Sequence, residues 1–472
     1  MFIRRFFEPK LAQTSYLIGC PGAGQAIVID PNRDVEQYIQ AAAAEGTKVT
    51  HVTETHIHAD FCSGARELAA RSGGTLYLSD EGDADWKYAF AAADGAVLLK
   101  HGDHITVGNV DLEVVHTPGH TPEHICFLIT DRAAADEPIA AATGDFIFVG
   151  DVGRPDLLEK AANMKGTMEV GARQLWKSLD AFRGRPDWLQ IWPGHGAGSA
   201  CGKGISAIPH STLGYEKRFN WAFQCKTEQD FIDNVLAGQP DPPRYFAEMK
   251  RLNKIGPRVL GGFTRPPQRA SAELAAILAS GTPVFDARPA VEFAIGAVPG
   301  TLSVPMNGSF TTWMGWFAPY AADFYLIGDA ATIDTAVRDL AMIGLDRIAG
   351  WFDTTAISDW ASTSSRPLSQ VPQIGVDDLT ESLNHHAVTL IDVRNANEWA
   401  VGHIAGAIHI PLGRLAERFG EIPQGKPIVM QCAGGARSLI GASVLKARGV
   451  DRVINLVGGF GAWVKAGQPV EN

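Results

Sequence analysis

The chemistry begins in the stretch "THIHADFCSG", residues 55–64, where His56, His58 and Asp60 alternate in an H-x-H-x-D run. Imidazole nitrogens and a carboxylate gathered in so short a loop are the donors that zinc and iron take. Phe61 stands where a third histidine would extend the run. Further donors follow at wide intervals: His120 in "HTPGHTPEH", Asp145 in "ATGDFIF" and His195 in "WPGHG". Singly, each has a plain structural explanation, as a hydrogen-bonded core histidine or a capping aspartate. Four clusters in this order, each following a strand-like segment, point instead to one metal centre. His116 and His124 flank His120 and, by alternation along strands, are assigned to core or solvent; His51, His101, His104 and His210 fit no cluster.

A second reactive stretch is "IVMQCAGGARSLIGASVLKARG", residues 428–449. An apolar strand ends at Cys432; Ala433, Gly434, Gly435 and Ala436 form a small-residue loop, and Arg437 and Ser438 open a helix. Unhindered backbone N–H groups, a helix N-terminus and Arg437 converge on one anion, which is expected to lower the Cys432 pKa and support a thiolate or persulfide. Cys201, in "GSACGKG" six residues after His195 and close to Lys203, is expected to occupy a flexible, locally positive loop. Cys62 adjoins the metal loop and is assigned to packing.

These groups need a scaffold, and residues 1 to about 250 supply alternating strands and helices. "AIVID" (26–30) predicts a buried strand and "DVEQYIQAAAAEG" a helix stopped by Gly46. "KVTHVTET" (48–55) predicts a β-branched strand that runs into the H-x-H-x-D motif, and "SGARELAARSG" (63–73) a helix started by Ser63. Further strands are predicted at 105–107, 110–116, 124–130, 139–143 and 189–192, each ending near a candidate ligand, so the ligands sit on loops held by a rigid sheet. "IGPRVLGGFTRPPQ" (255–268) is a linker, and "STSSRPLSQVPQ" (362–373) splits the remaining chain into two pieces. The two pieces are copies: "VFDARPAVEFAIGAVPGTLSVP" (284–305) matches "LIDVRNANEWAVGHIAGAIHIP" (390–411) residue for residue at one constant offset. No cysteine lies between Cys225 and Cys432, so the first copy, with "FYLIGDAATIDTAV" in place of the reactive loop, keeps only a framework that includes Asp286 and Arg288. The expected domains are 1–254, 268–364 and 370–472.

With 472 residues the chain has room for three domains, and its 46% hydrophobic and 20% charged content is that of a soluble globular protein. The formal charge of −11 with no basic block argues against nucleic acid or an anionic membrane as the main partner. Six cysteines without paired spacing predict reduced thiols and a cytoplasmic location. The opening "MFIRRFFEPKLAQ" has no apolar stretch behind its arginines and reads as neither a secretory nor a twin-arginine signal.

Over nearly all of residues 1–220 the ordered His/Asp clusters resemble the metallo-β-lactamase superfamily. That resemblance implies an α/β fold: an αββα sandwich with metals at the edge of two sheets. Hydrolases of that superfamily such as glyoxalase II hold a second metal with an Asp–His pair. Phe61 cannot ligate, which leaves Asp60, Asp145 and His195 at most and favours one metal. The segments "ETHIHADFCSGARELA", "TPGHTPEH" and "TGDFIFVGDVGRPDL" look like the persulfide dioxygenase branch. The resemblance implies that His56, His120 and Asp145 ligate one Fe(II) per chain, with His58, Asp60 and His195 orienting ligands or water. Zinc held by His56, His58 and His120, in a thioester hydrolase, stays open as the alternative. Related dioxygenases place an arginine against glutathione where Arg154 stands in "VGRPD"; a loop-stabilising Arg154–Asp156 pair is the equal alternative, and Lys217 and Arg218 are weaker candidates for the same role. Residues 370–472 resemble the rhodanese family, two α/β copies with parallel sheets, of which the second is active through Cys432 and Arg437. Asp392, Arg394, Glu398 and His403 belong to the same signature and are read as framework. The implied activity is oxidation of a low-molecular-weight persulfide by O₂, coupled to sulfur transfer among persulfide, sulfite and thiosulfate. The implied partners are these small molecules, with neither nucleic acid nor membrane, and a homo-oligomer.

Overall fold

The computed structural model describes the 472 residues except 158, 160–165, 240 and 241. It divides into two compact units: Met1–Phe263 with Ala341–Gly344, and Thr264–Leu340 with Leu345–Asn472. Among the described residues no helix is long and apolar enough to cross a membrane. None of the six cysteines is paired with another.

The first unit holds two six-stranded sheets. One runs in sequence order: β1 (Phe2–Glu8), β2 (Gln13–Cys20), β3 (Gln25–Ile29), β4 (Lys48–Thr53), β5 (Thr75–Ser79) and β6 (Val97–Leu99). Its first three strands pair antiparallel and the rest parallel. The other sheet contains β7 (His104–Val107), β8 (Val110–His116), β9 (Ile125–Asp131), β10 (Ala140–Gly144), β11 (Gln190–Pro193) and β12 (Ser211–Thr212), again neighbours in sequence order. Of these strands β3, β4 and β7–β11 fall within two residues of the predicted runs, whereas β1, β2, β5, β6 and β12 were not predicted.

The strand period of two builds the layers. In β3, Ala26 and Val28 join a core with Tyr38, Ala42 and Leu68 from the helices Glu36–Ala44 and Ala65–Ser72. Ile27 and Ile29, on the opposite face, meet Phe127 and Ile129 of β9 in a core between the two sheets. Cys126 and Leu128 then face outward onto Leu175 and Leu179 of the helix Thr167–Arg183. The result is the αββα sandwich. Helix ends follow their glycines, as at Gly73, whose φ of +70° stops Ala65–Ser72.

The second unit contains both repeats, each on a parallel sheet. In the first, β13 (Val284–Asp286), β14 (Leu302–Ser303), β15 (Phe324–Ile327) and β16 (Ile348–Phe352) lie in the order β14-β13-β15-β16. In the second, β17 (Gln373–Ile374), β18 (Thr389–Asp392), β19 (Ile408–His409), β20 (Ile428–Gln431) and β21 (Val453–Leu456) lie in the order β17-β21-β20-β18-β19. Apart from β17 this is the same order, and the framework pair recurs with it. Arg288 binds Asp286 at 2.7 Å and the Gly296 carbonyl, as Arg394 binds Asp392 at 2.6 Å and the Gly402 carbonyl. The copies share one core, in which Phe293 and Ala297 pack with Ile391, Leu412 and Ile440.

Candidate metal centre and thiol loop

β4 delivers the H-x-H-x-D loop, and the ends of β8, β10 and β11 deliver His120, Asp145 and His195 beside it. His56, His120 and Asp145 present ligand atoms within 4.8 Å of one another, all buried. Their imidazoles are held in one tautomer by neighbours. Thr55 Oγ1 donates to Asp30 Oδ2 at 2.9 Å, so it accepts from His56 Nδ1–H at 2.9 Å and leaves Nε2 facing inward. His120 Nδ1–H donates to the Arg154 carbonyl at 3.0 Å, which leaves its Nε2 3.5 Å from Asp145 Oδ2. His56 Nε2 and both Asp145 carboxylate oxygens have no hydrogen-bond partner although buried. Orphaned polar atoms at such depth are costly unless a cation meets them, so the residues fit a bound metal. Burial lowers the His56 and His120 pKa values, favouring the neutral rings that a metal needs. Gly194 completes the cradle: a Cβ there would stand 2.8 Å from Asp145 Oδ1.

Asp60 and His195, expected to orient ligands or water, lie beside this set. They form a second buried set with Cys201, again within 4.8 Å. Cys201 departs from the flexible, positive setting expected of it. It is 1% exposed, and Lys203 Nζ is turned away onto the Ala237 carbonyl. Burial, with Asp60 and Asp145 adding to it, pushes its pKa up to about 12. Burial alone would lower the His195 pKa, but Asp145, Cys201 and Asp60 around it hold it well above the ordinary histidine value. His58 belongs to neither set, although its ring centroid is 4.2 Å from that of His56. Its Nε2 is 3.1 Å from Asp30 Oδ1, and this carboxylate overrides burial and raises the His58 pKa to about 9. Phe61 is fully buried, its ring centroid 4.4 Å from that of His58.

Arg154 is fully buried, with Nε and Nη2 each 2.7 Å from the Asp156 carboxylate and Nη1 3.1 Å from the Ala200 carbonyl. This is the loop-stabilising pair, the second of the two expected readings: burial selects an internal counter-ion for a guanidinium that cannot lose its charge. Lys217, likewise, is engaged by Asp187 Oδ1 at 2.7 Å and the Arg185 carbonyl at 2.8 Å. Three supports escaped the sequence reading. His124 Nε2 accepts from the Asp145 amide at 3.1 Å and so fixes that ligand's backbone. Glu123 accepts from the Ile57 amide at 2.8 Å. Asn253 donates to the His58 and Phe61 carbonyls at 2.7 and 2.8 Å and accepts from Ser63 N–H at 2.9 Å, bracing the metal loop from a helix almost 200 residues away. Glu123 and His124 had a local signal, their place in "HTPGHTPEH", and Asn253 had none.

In the second unit β20 ends at Gln431, and Cys432 Sγ accepts from Gly435 N–H at 3.1 Å and Ser438 Oγ at 3.4 Å. Gly435 takes φ +95°, a left-handed turn that aims its N–H back at the sulfur before the helix Ala436–Ala447 begins. Arg437 does not stand alone as the local positive charge: it makes a bidentate pair with Glu398 at 2.6 and 2.7 Å. The sulfur cradle therefore consists of a backbone amide and a hydroxyl, with the Arg437–Glu398 pair bracing the loop.

Residues 9–195 match the metallo-beta-lactamase superfamily and residues 375–466 the rhodanese-like domain. A hydroxyacylglutathione hydrolase from a Polaromonas species is 32% identical over 268 residues, covering 50% of this chain and 93% of the relative. The chain belongs to the metallo-β-lactamase superfamily. Within it, a solved metallo-β-lactamase from Staphylococcus aureus is 43% identical with a TM-score of 0.67, covering 75% of this chain and 99% of its own. The superfamily relatives also include the mitochondrial persulfide dioxygenase ETHE1 of Bos taurus, 28% identical over 166 residues, 34% of this chain and 59% of that protein. Several matched relatives are spanned over only about 60% of their length. A rhodanese-like domain follows the superfamily domain in this chain.

Proposed function

We propose that the chain oxidises a low-molecular-weight thiol persulfide, such as glutathione persulfide, to sulfite and thiol at one Fe(II), and that Cys432 moves sulfane sulfur among persulfide, sulfite and thiosulfate. The observation that carries this reading is the buried His56–His120–Asp145 set, two imidazoles and one carboxylate with inward-facing donor atoms. That donor set is the one associated with non-haem iron and open coordination positions. The persulfide dioxygenase relative supports the same assignment. Bound Fe(II) would supply positions for a sulfur anion and O₂ and the redox chemistry that joins them. Overall, the outer persulfide sulfur gives up four electrons and O₂ accepts them; one water supplies the third oxygen of sulfite, and the thiol leaves with a proton.

The chain's own residues set the conditions for this. Thr55 and the Arg154 carbonyl hold the imidazole protons away from the centre, while Phe61, packed on His58, adds no ligand there. At Cys432 the thiolate attacks the outer sulfur of a persulfide, forming a Cys432 S–S bond and releasing the thiol. Sulfite then takes that sulfur as thiosulfate and restores the thiolate. Gly435 N–H and Ser438 Oγ stabilise the anionic sulfur in both states.

A zinc thioester hydrolase is the second reading, favoured by the hydroxyacylglutathione hydrolase relatives. The deciding experiment supplies anaerobically purified, Fe(II)-loaded protein with glutathione persulfide and follows O₂ consumption, sulfite and thiosulfate together. Chelator-sensitive uptake with sulfite formation is the expected result. No uptake with iron in place, alongside cleavage of S-lactoylglutathione by the zinc form, would replace the oxygenase reading with the hydrolase one.

A further inference from the structure

We infer that the turn Ala341–Gly344, which lies in the sequence of the Cys-less repeat, is a positioning element of the metal centre: its Met342 carbonyl fixes the Cys62 amide and, through it, the H-x-H-x-D loop that carries His56. The inference rests on the His56–His120–Asp145 group being a metal centre and not on the reaction run there. The first unit takes in this turn together with Met1–Phe263. Residues 54–62 form neither helix nor strand, so the loop's backbone groups need partners from other segments. Ile57 N–H donates to Glu123 at 2.8 Å, Asn253 donates to the His58 and Phe61 carbonyls, and Gly64 N–H donates to the Pro31 carbonyl at 2.7 Å. Cys62 N–H, beside Phe61 and two residues from Asp60, donates to the Met342 carbonyl at 2.7 Å.

The turn is itself seated in the first unit. It follows the helix Ala330–Ala341 and closes through Gly344 N–H on the Ala341 carbonyl at 3.0 Å. The last carbonyls of a helix lack partners within it, and buried Arg33 supplies one, from Nη1 to the Ala341 carbonyl at 3.3 Å. Met342 and Ile343 are buried, as is Cys62. Gly344 takes φ +69°, and a Cβ there would stand 2.6 Å from Leu252 Cδ1, 3.3 Å from Met249 Cε and 3.6 Å from Cys62 Sγ. Leu252 adjoins Asn253 on the helix Phe246–Ile255, so glycine lets the turn close onto the helix that also braces the loop. Displacing the turn would strand the Cys62 amide inside the unit and free the loop to move His56 relative to His120 and Asp145, which other strands deliver.

Metal-free full-length protein is titrated with Co²⁺ to measure its affinity, and amide hydrogen exchange over residues 56–64 is followed beside it. Gly344→Val should lower Co²⁺ affinity by about tenfold or more, the usual loss when an outer support of a metal ligand is removed, and should speed exchange in the loop. Gly344→Ala serves as the milder second variant should the valine form fail to fold; it should move both readouts in the same direction, and adding Leu252→Ala, which makes room for the Cβ, should recover part of the affinity. Gly300→Val controls for backbone strain in the same repeat, since Gly300 has φ +98° but its Cβ would meet only Leu278, at 3.6 Å; it should keep wild-type affinity. Unchanged affinity in a folded Gly344 variant, or an equal loss in Gly300→Val, would overturn the assignment. A wild type that binds no Co²⁺ would overturn the metal centre and this inference with it. Oxygen uptake by the Fe(II)-loaded chain is measured separately, so loss of the oxygenase reading leaves the cobalt result intact.

Discussion

Arg154 offers a test in which structure and substrate-binding readings predict opposite outcomes. Replacing it with Met keeps roughly the same volume but strips Asp156 of the guanidinium that holds it at 2.7 Å through two nitrogens. Removing one partner of a buried pair costs about 3–5 kcal/mol, and the lost bond to the Ala200 carbonyl adds roughly 1 kcal/mol. Removing both charges in Arg154→Met/Asp156→Leu should recover most of this, because two buried ions exchanged for apolar groups of similar size come close to neutral. Asp156→Leu alone strands the guanidinium at a similar cost, so the double-mutant cycle should show a coupling energy larger than either single loss, roughly 6 kcal/mol or more. Urea unfolding of the full chain measures it, at the transition that metal loading shifts, which identifies the first unit. The Arg154 carbonyl and amide remain in every variant, so the His120 and Cys201 anchors are backbone features that survive. Persulfide KM should therefore change little in the double variant. If Arg154 instead paired a substrate carboxylate, the single variant would raise KM with stability unchanged and the Asp156 change would repair nothing; that pattern would refute the reasoning.

Other perturbations separate the sites. Cys432→Ser should reduce sulfur transfer to background while oxygen uptake continues, and His120→Ala should do the reverse with loss of bound iron; a folded variant that loses both activities would show the sites to be interdependent. Gly459 has φ +55°, and a Cβ there would lie 2.1 Å from the Cys432 carbonyl. Gly459→Ala should thus cost roughly 1–3 kcal/mol and displace the thiol loop, seen as at least a tenfold loss of thiocyanate formation from thiosulfate and cyanide with oxygen uptake unchanged. Burial pushes Glu123 up from 4.5 to about 7. Since the folded form holds the proton that the unfolded form has released, stability should fall as pH rises from about 4.5 to 7. Glu123→Gln should be near neutral at pH 4.5 and stabilising by about 2–3 kcal/mol at pH 8 in urea melts, and an equal effect at both pH values would reject the shifted carboxyl.

Local pattern alone accounts for the scaffold and for most of the reactive groups. Apolar and β-branched runs became β3, β4 and β8–β11, because alternation fixes both faces of a strand, and the donors written at their ends, from both sheets, arrived together. The repeat was legible down to the Asp286–Arg288 and Asp392–Arg394 pairs, since two residues apart at a strand end leaves little conformational choice. Cys432 was legible because loop and helix follow it directly.

Which partner each charged or reactive group met was settled by the packing of distant segments. Arg154 had two chemically equal counter-ions in prospect, and only burial, which makes an unpartnered guanidinium prohibitively costly, fixed it on Asp156. Arg437 was expected to add positive potential at Cys432, and it meets Glu398, from the helix Ala396–Val401. Cys201 looked flexible and locally positive in a glycine-rich stretch, yet the Ser199, Arg154 and Asp151 contacts bury it beside Asp60. Asn253, remote in sequence, braces the motif at which the chemistry starts. A strand or a cap is governed by neighbours along the chain and can be read there; the desolvation cost that selects a buried partner is set only when the chain closes around it.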